Sequence, residues 1–188
     1  MLSLVQSLEN LNHVYEDDYY WYLRSPEFRR VFLVPLGIIV DGLGLPCLDV
    51  GCGEGQLGDH VSKVCYSGFD GSDVAIQRAR ENLPVADLRV GRIESPPDFD
   101  GDFGTVVFGG LFQVLVAQEQ QVEFLEIYRE RYRAVNFVVY DLFSLDTSRI
   151  DESYSLMMHY EARADMALTP AVKLHRKIRV YRAKEGDR

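Results

Sequence analysis

Residues 47–58, CLDVGCGEGQLG, decide how this chain is read. The apolar run Pro46–Val50 predicts a buried strand, and Gly51-Cys52-Gly53 a tight turn after it. Leu57, Val61 and Val64 then recur at i, i+4, i+7, which predicts a helix face. Several ligand chemistries use a glycine turn between a strand and a helix. A phosphate loop ends in Gly-Lys-Ser/Thr, which is not present. A zinc knuckle needs about four ligands; Cys47 and Cys52 are split by the strand end and no His or Cys pair answers them, so no metal site is expected. A dinucleotide loop fits better, because Asp70 closes the next strand where a ribose-binding acid belongs. Its third glycine is misplaced, however: Gln56 holds the required position and Gly55 precedes it. Asp49 and Glu54 flank the turn, and acids oppose a pyrophosphate. They suit a ligand that carries a cation.

Outward from this stretch, short apolar runs alternate with amphipathic ones, the pattern of parallel βαβ units. CYSGFD is the next strand, followed by a helix capped near Ser72 with Ala75, Ile76, Ala79 and Leu83 inward. ADLRV, FGTVVFG and NFVVYD are further strands, and Val122, Leu125, Tyr128 and Tyr132 line the helix before the last of them. Residues 91–102 contain Pro96, Pro97 and Gly101 and leave room for no more than a helical turn. After Asp141, YSLMMHYEA and VKLHRKIRVYR flank a turn near Thr169-Pro170, which predicts an antiparallel hairpin. In its second strand Lys173, His175, Lys177, Arg179 and Tyr181 share one face, expected to be solvated or to guard a sheet edge, with an acidic partner as the alternative.

Residues 1–45 read as an N-terminal helical segment and a candidate lid; residues 46–188 read as the main domain. Residues 4–24 are aromatic-rich, and Ser25-Pro26-Glu27 starts a second helix that Pro35 kinks or ends. The 188 residues suffice for one domain with a real core. Net charge is −9, which disfavours nucleic acid; from Arg163 onward, however, eight basic residues face three acids. VFLVPLGIIV is too short to span a bilayer, so no membrane association is expected. No basic stretch followed by an apolar one opens the chain, and the three cysteines lack framework spacing, so a reducing, cytoplasmic location is expected.

LDVGCGEG resembles the first motif of the class I S-adenosylmethionine-dependent methyltransferases. YSGFDGSDVAIQRAR resembles the motif after it, and VGRIESPPDFDGDFGTVVFGG the third and fourth strand region. The resemblance covers roughly residues 46–142 and implies an α/β fold: a Rossmann-like, doubly wound, seven-stranded, mostly parallel sheet with a C-terminal antiparallel hairpin and N-terminal helices. It implies S-adenosylmethionine as cofactor and S-adenosylhomocysteine as product. Asp49 matches the acid that holds the methionyl ammonium, and Gly51 and Gly53 the positions of close backbone approach. Asp70 matches the ribose-chelating acid, with Gly71 and Ser72 along the adenosine. Ile93 matches the backbone N–H donor to adenine, and Phe108 and Gly109 the backbone oxygens facing the ammonium. Two positions depart from the family pattern. Arg92 stands where an acid often accepts from the adenine amino group, with Glu94 two residues on, and Phe103-Gly104 replaces Phe-Asp.

Methyl transfer from a sulfonium needs alignment and exclusion of water, and an oxygen or nitrogen nucleophile can also need a base. Asp141 and His159 are the candidate bases. Tyr19, Trp21, Phe112, Gln113, Phe143 and Tyr154 are candidates for a substrate pocket, and Arg24 for the methionyl carboxylate. The packing of the N-terminal aromatics on the domain is the alternative to a lid. A small-molecule acceptor is expected, since no large insertion is visible. RNA or protein methylation, or a cofactor-binding scaffold without turnover, are the alternatives. Nothing in the sequence speaks to oligomeric state.

Overall fold

The computed structural model describes residues 25–44, 46–61, 66–109, 116–141, 146–165 and 173–184. Ser25 caps the first helical stretch, its hydroxyl accepting from the Phe28 N–H at 3.2 Å, with Pro26 in the first turn. That stretch runs through α1 (Pro26–Phe28), a π-helical segment (Arg29–Leu33) and α2 (Val34–Leu43). Pro35 does not end it. A proline ring inside a helix clashes with the carbonyl four residues back; here the wider π turn lies at that place, and the Val34 N–H reaches the Arg29 carbonyl.

The remaining elements are β1 (Cys47–Val50), β2 (Tyr66–Asp70), α3 (Asp73–Asn82), β3 (Asp87–Val90), β4 (Thr105–Phe108), α4 (Gln121–Tyr132), β5 (Asn136–Asp141), α5 (Ser148–Ser153), β6 (Tyr154–Asp165) and β7 (Lys173–Ala183). They build one seven-stranded sheet in the order β3-β2-β1-β4-β5-β7-β6. The first five strands pair in parallel and the hairpin pairs antiparallel on β5, as expected.

Alternating side chains build two cores. One face carries Cys47, Tyr66, Val107, Val138, Ile178 and Val180 against Phe32, Leu36 and Val40 of the first helical stretch and Ile76 and Ala79 of α3. The other carries Leu48, Phe69, Val106, Phe108, Phe137 and Tyr181 against Leu125, Tyr128 and Tyr132 of α4 and Ile150 of α5. The helical stretch from Pro26 to Leu43 is therefore part of the core.

Three local expectations are corrected. Of the helix read from Leu57 to Val64, the described part, up to Val61, holds a 3-10 turn, Gln56–Asp59, and no α-helix; Val64 lies outside the described residues. Gly58 packs so tightly there that a β-carbon would sit 2.4 Å from Leu83 Cδ1. β7 is not an edge: it lies between β5 and β6, so Tyr181 is fully buried while Lys177 and Arg179 are half-buried. The edge strand is β6, with Leu156, Met157 and Met158 exposed beside a bulge. The six-residue α5 between β5 and the hairpin had no counterpart in the apolar pattern.

Candidate functional site

The C-terminal ends of the parallel strands form the site, as in open α/β sheets generally. Gly51, Gly53 and Gly55 have φ of 73°, 54° and 77°, the left-handed region that glycine enters without strain. The Gly51 and Cys52 N–H groups both donate to the Phe69 carbonyl, at 2.9 and 3.0 Å, which ties the turn to β2. In register, Asp49 faces Gly68 of β2 and Val107 of β4. With side chains alternating, Asp49, Tyr66, Gly68 and Asp70 share one face.

Asp70 is fixed by backbone. One carboxylate oxygen accepts from the Gly53 N–H and the other from the Ser72 N–H, each at 2.9 Å. Burial pushes this carboxyl upward, and the N–H groups of Ser72, Gly53 and Gly71 pull it back. A carboxylate has about four lone-pair sites, so beside these three N–H groups it keeps capacity for about one further donor, such as a ribose hydroxyl. Ser72 also caps α3, its hydroxyl accepting from the Ala75 N–H at 3.1 Å.

Asp49 is held differently. Its one hydrogen-bond partner among the described residues is the phenol of Tyr66, which donates at 2.7 Å. Burial, first, and the nearby Asp70 push its carboxyl up to about 7, against the opposing effect of the phenol. No cation among the described residues pairs with it, so the site holds a buried acid facing the turn that a ligand ammonium would satisfy. The other flanking acid is corrected: Glu54 is 6% exposed and pairs with Arg78 of α3 at 2.9 Å. It anchors the turn to the helix rather than standing at the mouth. Arg78 had no visible signal in the sequence, since i-to-j pairs across a loop leave no periodicity.

The loop after β3 is the second wall. The Ser95 N–H donates to the Arg92 carbonyl at 3.2 Å and closes a tight turn. The Ile93 N–H lies on the opposite side of that trans peptide and so points out of the turn. Tyr128 of α4 donates to the Ile93 carbonyl at 3.0 Å, and Tyr132 to the Pro97 carbonyl at 2.6 Å. These two tyrosines were read as a core stripe; their rings are that, and their hydroxyls also pin the loop. Arg92 faces Glu94 at 3.5 Å with both side chains about half exposed, so its charge is partly answered by the next acid. Phe108 is buried at the end of β4, and Gly109 follows against the Tyr140 hydroxyl.

The acceptor-side candidates divide. Asp141 ends β5 and is in register with Lys177 of β7, which is in turn in register with Glu161 of β6. His159 is exposed on the edge strand, opposite Arg179. With strands spaced about 4.8 Å apart, it lies three strands, about 14 Å, from β4. Tyr154 is removed from the pocket: it is 1% exposed, packs edge-on against Phe137 at 5.5 Å and bonds to Glu126. It pairs with Ala183 beside Asn136, at the opposite end of the sheet from the turn, because β6 runs in the same direction as β5. Tyr19, Trp21, Arg24, Phe112, Gln113 and Phe143 lie outside the described residues.

Residues 47–133 match the family described as "Methyltransferase domain". No curated protein matches the chain. Among solved structures it is similar to the N-methyltransferase NodS of Bradyrhizobium japonicum with S-adenosylhomocysteine, at 16% identity and TM-score 0.68 over 97% of each chain. It is also similar to a TehB-like SAM-dependent methyltransferase of Corynebacterium glutamicum, at 20% identity and TM-score 0.64 over 92% of this chain and 100% of that one. A Pyrococcus abyssi tRNA (uracil-54, C5)-methyltransferase matches at 20% identity and TM-score 0.57, over 79% of this chain and 38% of that one.

Proposed function

We propose that this chain is a class I S-adenosylmethionine-dependent methyltransferase whose methyl acceptor is a small molecule with an oxygen or nitrogen nucleophile. The observation that carries this reading is that the connections between described strands are short, which leaves little room for a macromolecule-recognition insertion. Extent of similarity does not decide the acceptor class, since NodS is covered over 97% of its length and a "putative RNA methyltransferase" of Pyrococcus horikoshii over 82%.

S-adenosylmethionine supplies a methyl group already activated on a sulfonium. Asp70 holds the ribose hydroxyls in this reading, Ile93 donates its N–H to adenine, and Asp49 faces the ammonium across the glycine turn. Phe108 and Gly109 present backbone oxygens at the end of β4. The chain then aligns an acceptor and keeps water out. Asp141, one strand from β4, is the candidate base; His159 is too far across the sheet to touch the same atom.

The lid reading gains a geometric support. The Leu43 carbonyl accepts from Asn136 at the start of β5, and Phe32 lies against Tyr140 near its end, ring centroids 4.8 Å apart. The helical stretch therefore runs up the sheet, and Ser25 lies toward the end that holds the turn. In this reading Tyr19, Trp21 and Arg24 belong to the lid and Phe112, Gln113 and Phe143 to the acceptor wall; all six lie outside the described residues.

Calorimetric titration with S-adenosylhomocysteine, followed by methyl transfer to panels of small amines and hydroxyl compounds, tRNA and peptides, tests the proposal. Transfer to a small molecule is expected. Transfer to tRNA or peptide alone overturns the acceptor class; binding with no transfer to any panel favours the scaffold reading.

A further inference from the structure

We propose that Tyr66 is a positioning residue of the cofactor site, holding the Asp49 carboxylate toward the turn and setting the pH below which the ligand's ammonium loses its partner. The proposal rests on the reading of Asp49 as the ammonium-facing acid and adds to it a residue and a regulation.

Tyr66 opens β2 and Asp49 lies within β1. In register Asp49 is opposite Gly68, so Tyr66 is its diagonal neighbour, a separation of about 7–8 Å that an aromatic side chain can bridge. Gly68 makes the bridge accessible. A β-carbon there would sit 2.9 Å from Cys52 Cβ, so a side chain at 68 would displace Cys52 from beside the carboxylate. Tyr66 is 1% exposed and Asp49 5%, so their 2.7 Å bond is shielded from water. Charge-assisted bonds of this kind are short and about twice as strong as neutral ones.

Among the described residues, the titratable groups acting on Asp49 are few. From β2 come Tyr66 and Asp70; from the turn comes Cys52. From β4 the register neighbour is the apolar Val107. Burial and the acid push the Tyr66 phenol well above its ordinary value, so it stays a donor at every pH of interest. Burial likewise pushes the Cys52 thiol up and keeps it neutral. Asp70 repels the Asp49 anion, leaving the phenol as the one side chain among the described residues that favours it. A neutral Asp49 offers an ammonium a weak acceptor; an ionised one offers a charge.

The test is calorimetric titration of the full chain with S-adenosylhomocysteine and, separately, with adenosine, from about pH 5.5 to about pH 8.5, a window spanning the raised carboxyl and the ordinary imidazole range. For the natural protein, affinity for S-adenosylhomocysteine should rise through pH about 7, while adenosine, which lacks the ammonium, should show no such rise. In Tyr66→Phe the rise should move up by about one unit, the equivalent of one bond to a charged group, and meet the natural curve at the alkaline end. Asp49→Asn, which keeps the shape and cannot ionise, should flatten the curve and stands in should Tyr66→Phe fail to fold. A Tyr66→Phe curve superimposed on the natural one, or weakened equally at every pH, overturns the proposal. So does a pH dependence that survives in Asp49→Asn. If the natural protein binds S-adenosylhomocysteine with no pH dependence, the cofactor reading stands and this inference fails; if it does not bind at all, the cofactor reading itself fails.

Discussion

The two ends of the sheet are built on opposite terms. β1 and β2 have four and five residues, and the side chains on their shared face include two buried acids. β6 and β7 have twelve and eleven, pair in a long ladder broken by one bulge, and leave Leu156, Met157 and Met158 in solvent at the edge. Short strands stop early so that the turn after β1 can fold back onto Asp70 and present backbone N–H groups and carboxylates together. Long strands carry no such ends and serve to close the sheet. Burial explains the difference in charge: an acid is kept from water only where hydrogen bonds or a paired cation compensate it, and Asp49 and Asp70 lie where a ligand can add to that compensation.

The contrast can be broken in five places. The largest effect belongs to the shared core. Phe137→Ala removes a fully buried ring that packs between Phe108 and Tyr154, and should cost about 3–5 kcal/mol in denaturant unfolding. A cost near zero would mean that β5 does not join the two ends into one cooperative unit.

The next tests the buried acid. Asp49 has its carboxyl pushed up to about 7 in the folded chain, against 3.8 ordinarily. Between those values the unfolded chain has lost a proton that the folded one keeps, so stability falls as pH rises and levels off above about 7. Asp49→Asn should therefore stabilise the ligand-free protein by roughly 2–4 kcal/mol at pH about 8 and by little at pH about 4. Thermal unfolding at the two pH values checks this, and equal effects at both would remove the linkage.

Asp70→Ala leaves the Gly53 and Ser72 N–H groups without their acceptor and removes the ribose partner. At about 1.5–3 kcal/mol per bond to a charged group, S-adenosylhomocysteine affinity should fall at least tenfold by calorimetry. Tyr128→Phe frees the Ile93 carbonyl; about 1 kcal/mol, a several-fold loss of affinity, is expected, and adenosine should lose as much as S-adenosylhomocysteine. The smallest effect is expected at the far edge. Leu156→Lys on β6 should change stability by no more than about 0.5 kcal/mol and leave cofactor binding untouched.

Legibility followed periodicity. Every strand was readable because alternation and apolar runs are local, and β5 was read to the residue. The acids Asp49 and Asp70 were readable because a strand-turn spacing places them. Arg78, Tyr66 and the hydroxyls of Tyr128 and Tyr132 were not, since each reaches its partner across a gap of at least seventeen residues. Tyr154 was misread because an aromatic at a strand start gives no sign of which end of the sheet it will occupy.

By itself the sequence determined the βαβ order, the glycine turn with its left-handed residues, the capping of α3 and the resemblance to a methyl-transferring family. All of these depend on neighbours within a few positions, where backbone preference and side-chain spacing act directly. Tertiary structure alone decided that Glu54 is an anchor paired with Arg78, that β6 and not β7 is the edge, and that Asp49 is buried against a phenol while Asp70 is held by backbone. Burial and strand order are properties of the assembled sheet, and the charge state of a carboxyl follows from what surrounds it rather than from what precedes it in the chain.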